Sequence, residues 1–244
     1  MCSNKSNQLE RSAIKGNFLS KDPKNKILWC KTTAPVDYEY STNFMEHYAN
    51  EIYLGIKPEL VWLLEHPPLY SAGTSAKESD LLDRNTFPIF NTNRGGQYTY
   101  HGPGQRVVYL MLNLKNRTQD VRAYISTLEK LIINTLRDFD IIGEQREERV
   151  GIWVKNKSNE DKIAAIGIRL RKWVSFHGIA INVNPNLEHF KGIIPCGQHN
   201  YGVTSLEKIK GKVNISAFDK SLKNNFEALF GKTTETSLSD LDNI

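Results

Sequence analysis

At 244 residues, 39% hydrophobic and 24% charged, the chain has the make-up of a globular protein with one large domain. No apolar run approaches the roughly 18 residues needed to cross a bilayer, and MCSNKSNQLERSAIKGNF lacks an apolar signal-peptide core, so a cytoplasmic protein without membrane attachment is expected. The net charge of +5 sits wholly in residues 1–31, leaving a neutral body that excludes a nucleic-acid footprint.

Residues 1–26 read as a basic, flexible leader, and ILWCK (27–31) as a strand. Asp37 to Gly55 predicts a helix, with Phe44, Tyr48 and Ile52 at four-residue spacing and Gly55 as its stop. VWLLEH (61–66) is a short apolar strand ended by Pro67–Pro68. Strands follow at 88–93 and 97–101 around Arg94–Gly95–Gly96, then at 106–114, whose continuous apolar run suits burial on both faces. Asp120 caps a second helix with an apolar stripe of Val121, Tyr124, Ile125, Leu128, Leu131, Ile132 and Leu136. Three more strands cover Gly151–Lys155, Ile163–Leu170 and Trp173–Val183, and a last helix runs from Ser216 to Phe230 before Gly231. The pattern predicts an α/β or α+β fold: one domain over 27–231 on a largely antiparallel sheet, with a loose polar tail at 232–244.

Three cysteines (Cys2, Cys30, Cys196) stand at wide, irregular spacing with no CxxC pair, and the six histidines show no HxxxH or HExxH spacing. Neither a disulfide framework nor a metal site is expected, and the thiols suit a reducing compartment. RGGQYTYHGPGQ (94–105) places four glycines and Pro103 between apolar strands; such a loop wraps a ligand closely, or forms a plain hairpin turn. It matches neither the dinucleotide fingerprint nor the phosphate-loop pattern. His66 and His101 stand at strand-to-loop junctions, open to a structural or a ligand-facing role.

Lys162 opens the strand KIAAIG, where burial would desolvate its ammonium. Cys196 sits in the turn Pro195–Cys196–Gly197, whose amides could face an oxyanion. A thiol accepts an acyl group as its thiolate, which a nearby ammonium favours. Read singly, the cysteine fits a small buried hydrophobe and the lysine a solvated strand end. Between Lys162 and Lys191 five basic residues outnumber the single Glu188, which makes either an ordinary solvated face or a docking rim for an acidic partner.

RGGQYTYHGPGQ, the pair KIAAIG and SFHGIA, and IIPCG with GVTSL together resemble the octanoyl (lipoyl) transferases of lipoate biosynthesis, in order from about residue 60 to 206. The resemblance implies a mixed sheet flanked by helices, similar to lipoate and biotin protein ligases. It implies octanoyl transfer from acyl carrier protein to a lysine of the lipoyl domains of 2-oxoacid dehydrogenases and of the glycine cleavage H protein, by a monomer without cofactor or metal. Cys196 would carry the acyl thioester, and Lys162 would lower its pKa and handle protons. Arg94, Gly95, Gly96, Gln97, Tyr98, Thr99, Tyr100 and His101, Ala165, Ile166 and Gly167, and Gly178, Ile179 and Ala180 would line the acyl pocket. Gln198 and Asn200 depart from the family pattern, which often has an apolar residue at the first position and sometimes an aspartate at the second. The alternative within the fold is an ATP-dependent lipoate or biotin ligase, which needs no nucleophilic thiol.

Overall fold

A computed structural model describes residues 11, 17–156, 159–195 and 201–241. Strands β1 (Ile27–Lys31), β2 (Glu59–Leu64), β6 (Gln105–Met111), β7 (Glu144–Arg146), β8 (Arg149–Asn156), β9 (Asn159–Arg171), β10 (Val174–Asn182) and β12 (Thr233–Thr236) form one twisted sheet. Their order is β12-β1-β2-β6-β10-β9-β8-β7, and the two-residue β11 (Gly202–Val203) adds to β9. The pairs from β2 to β7 are antiparallel, while β1 runs parallel to both β2 and β12. A second, three-stranded sheet of β4 (Ile89–Asn91), β3 (Leu69–Ala72) and β5 (Tyr98–His101) stands beside it.

Alternation along the central strands divides the core into two layers. Leu60, Trp62, Leu64, Val107, Tyr109 and Met111 face helix α1 (Tyr38–Leu54). Their neighbours Val61, Leu63, Val108 and Leu110 face α2 (Val121–Arg137) and α4 (Ile215–Phe230), which pack on each other. Capping follows the sequence: Asp37 accepts from the Tyr40 amide, Asp120 from Arg122 and Ala123, and Gly55 closes α1 at φ +74°. Val121 departs from the predicted stripe, lying exposed on the first turn of α2.

Two expectations need correction. The leader is not uniformly loose: Phe18 is buried against Tyr124 and Phe230, its amide bonds the Leu229 carbonyl, and Arg11 pairs with the buried Glu129. Nor is the C-terminal tail merely polar. Its β-branched TTET run forms the edge strand β12, and Leu241 is fully buried against the α1 layer. Elements of two to four residues, β3, β7 and β11, and the five-residue α3 (Leu206–Lys210), were too short to show a period.

Candidate active site

The cavity-forming positions lie where β9 and β10 turn small residues towards the α1 side of the sheet. Ala165 pairs with Ala180 and Gly167 with Gly178, leaving a hollow where larger side chains would fill the layer. The segment Arg94–His101 closes it from the second sheet. A Cβ at Gly167 would stand 3.1 Å from both the Arg94 side chain and the Gly95 carbonyl, so glycine there admits this close approach. The result is a narrow cavity between the two sheets, with about 50 Å³ of space for water-sized centres.

Of the expected lining residues, Arg94, Gly96, Gln97, Tyr98, Thr99 and His101 border this space, as do 165–167 and 178–180. Ile166 and Ile179 border it while packing against the α2–α4 layer. Gly95 and Tyr100 are not among its walls. The Gly95 amide is engaged by the Ile168 carbonyl, and Tyr100 turns to the far side of β5, where its hydroxyl meets His189 Nδ1 at 2.8 Å. Tyr38, Val107, Tyr109 and His177 complete the wall and were not expected. His177 reaches it by an unusual backbone: at φ +58° it leaves strict strand alternation and stacks on Phe176.

Lys162 is brought to the same side by a β-bulge. Trp153 pairs with Lys162 but its neighbour Ile152 pairs with Ala164, so Ile163 is an extra residue. Without it Lys162 would share a face with Ala164, which packs towards α2; with it, Lys162 shares the face of Ala165 and Gly167. The lysine is buried, with 6% of its surface exposed. Its Nζ donates to the Val150 carbonyl at 3.1 Å and lies 5.1 Å from the Trp153 ring centroid. It lines a second, smaller cavity with Gln105, Asn182, Val203 and Pro195. Thr99, Ala165 and Ala180 are common walls of both cavities. Cys196 lies outside the described residues, as do Gln198 and Asn200, but Pro195, which precedes Cys196 in the chain, faces the Lys162 cavity.

The larger cavity is electrically quiet except at Arg94. Burial pushes His177 down to about 3 and His66 down to about 4, and it holds His101 well below the usual range, so all three are neutral at pH 7. His66 Nδ1–H donates to the Val36 carbonyl at 2.6 Å, leaving Nε2 to accept from the Tyr109 hydroxyl at 2.6 Å. His101 Nδ1 bonds Gln105 Oε1, whose amide nitrogen reaches Asn182 Oδ1 at 3.0 Å. The Arg94 guanidinium donates to Ser71 O and Oγ and to Gly95 O, and among the described residues no carboxylate pairs with it. The walls are thus mostly uncharged, with the Arg94 guanidinium on one side and the Lys162 ammonium in the adjoining chamber. Among the described residues no cluster of histidine, cysteine or carboxylate is placed to hold a metal ion, and no helix is long and apolar enough to cross a membrane.

Comparison with known proteins matches residues 37–227 to the lipoyl protein ligase A/B catalytic domain. A curated octanoyltransferase from Wolbachia pipientis subsp. Culex pipiens is 55% identical over 203 residues, covering 83% of this chain and 98% of its own. One from Bradyrhizobium diazoefficiens is 57% identical over 213 residues, covering 85% of each chain. Among solved structures, lipoate-protein ligase A bound with ATP superposes with a TM-score of 0.65 at 16% identity, covering 90% of this chain and 91% of that one. The bipartite lipoate protein ligase of Thermoplasma acidophilum superposes equally well at 14% identity, covering 90% and 89%. At that identity the ligases speak for the fold alone.

Proposed function

Since the chain belongs to the octanoyltransferase family, an acyltransferase family of lipoate biosynthesis, we propose that it works through an acyl thioester on Cys196 with Lys162 as proton handler. The observation that carries this reading is the bulge at Ile163, which turns a buried lysine into a chamber sharing walls with the neutral cavity and bordered by Pro195. The acyl donor is octanoyl-acyl carrier protein. Its phosphopantetheine thioester carbonyl is attacked by the Cys196 thiolate, and the carrier sulfur leaves with the proton that Lys162 supplies. In the second half, a lysine amine of a lipoyl domain attacks the Cys196 thioester. An amide forms, the Cys196 sulfur leaves, and Lys162 takes up the proton released by the amine.

The eight-carbon tail lies along Ala165, Ala180, Gly167 and Gly178, where the histidines are neutral and the Arg94 guanidinium is the one charge on the wall. Exchange of thioester for thioester and then for amide is downhill, so neither ATP nor a metal is required. Acceptors are the lipoyl domains of 2-oxoacid dehydrogenases and the glycine cleavage H protein, served by a monomer in the cytosol.

The test is transfer from octanoyl-acyl carrier protein to a lipoyl domain in ATP-free buffer with a chelator. Turnover under these conditions, abolished in Cys196→Ala, is expected. Transfer that needs ATP and free octanoate, and survives Cys196→Ala, would turn the reading to the ligase alternative.

A further inference from the structure

A line of polar contacts runs from the N-terminal segment to Lys162, and the acyl-transfer reading leaves it unused. At its centre is the peptide unit joining Val150 and Gly151, at the start of β8. Its carbonyl accepts from Lys162 Nζ at 3.1 Å, and its N–H donates to Glu129 Oε1 at 3.4 Å. Both groups belong to one rigid plane, so the lysine and the carboxylate hold opposite edges of it. A carboxylate on the amide side polarises the unit and makes its carbonyl a stronger acceptor for an ammonium.

Glu129 projects from α2 and is fully buried. Arg11 caps it from the far side, Nε to Oε2 at 3.1 Å and Nη2 to Oε1 at 3.3 Å, and also donates to the carbonyls of Arg146 and Glu147 at the β7–β8 turn. The corner is shaped around the lysine: Gly151 has φ +122°, and a Cβ there would stand 2.5 Å from Lys162 Cε.

We propose that Glu129, held by Arg11, is a positioning residue for Lys162, fixing the Val150–Gly151 peptide that orients the ammonium. The inference rests on the reading of Lys162 as proton handler. Glu129 is faced by Arg11 from the leader and Glu147 from the β7–β8 turn. Beside Lys162 stand Asp161 and Glu160 on β9, and Arg149 stacks 4.3 Å from the same Trp153 ring.

Glu129→Gln in the full-length protein keeps the shape and one acceptor oxygen but removes the charge. Its pH profile of Cys196 alkylation by iodoacetamide, followed by peptide mass, is expected to move up by about half a unit or more. Transfer should slow about tenfold with KM for the acyl donor unchanged. The control is Glu59→Gln, which removes a similarly buried carboxylate, paired with Arg117 at the start of β2. It is expected to lower thermal stability without moving the alkylation profile. A wild-type profile and rate in Glu129→Gln, or an equal shift in Glu59→Gln, would overturn the proposal. Should Glu129→Gln fail to fold, Arg11→Gln carries the same two outcomes. Lys162→Ala separates the levels. If it leaves the profile unmoved, the reading of Lys162 falls; if it shifts the profile while Glu129→Gln does not, only the positioning role falls.

Discussion

At the scale of single residues, burial decides which groups react. Cys30 is fully enclosed in the α1 layer, and desolvation pushes its thiol up to about 11. Native alkylation at pH 8 should therefore label Cys196 and spare Cys30, as tryptic peptide masses would report. The histidines set the pH response. His66 and His177 are held neutral in the folded state, down to about 4 and about 3, whereas the unfolded chain protonates them near 6.5. Below 6.5 the unfolded state binds more protons, so stability falls from pH 6.5 towards pH 4. Urea midpoints across that window should decline, and His177→Asn, which tolerates positive φ, should flatten the slope. An unchanged slope would mean His177 is protonated in the folded protein. Lys162, Thr99, Ala165 and Ala180 were legible because the motifs carrying them stand close to their strands. Tyr38, Tyr109 and His177 were not, since they reach the cavity from distant segments or through a backbone angle that no residue pattern announces.

At the scale of elements, the bulge in β9 and the small-residue pairs of β9 and β10 do separate jobs. The first aims Lys162, and the second hollows the layer beside it. Ala180→Leu fills the space between the two cavities. It should lower kcat/KM for octanoyl donors at least tenfold while sparing butanoyl donors, as a chain-length series would measure. Equal loss for all lengths would place the acyl chain elsewhere. Gly151→Ala sets a Cβ at positive φ against the lysine stem, at a cost of about 1–2 kcal/mol in backbone strain alone. Its thermal midpoint should drop by about 2–8 °C, with transfer impaired. The long strands and helices were readable from their periods and caps. The bulge was not, because Ile163 looks like any apolar strand residue until the register of β8 shows it to be supernumerary.

At the scale of the whole molecule, described residues near both termini pack on the core. Arg11 and Phe18 tie the leader to α2 and α4, and Leu241 with its carbonyl bonded to Lys57 ties the tail to the end of α1. Charge counting identified the leader as basic but could not find the one arginine with a buried partner 118 positions away. Leu241→Ala should cost about 2–5 kcal/mol by urea unfolding, because it empties a fully buried position of the α1 layer. The central proposal is that the octanoyl group is held covalently by Cys196 on its way to the acceptor. The most direct measurement is intact and peptide mass after incubation with octanoyl-acyl carrier protein alone. The account predicts a single octanoyl adduct on the Cys196 peptide, released by hydroxylamine and discharged by a lipoyl domain. A stable amide on Lys162, or an unmodified enzyme that still transfers, would contradict it.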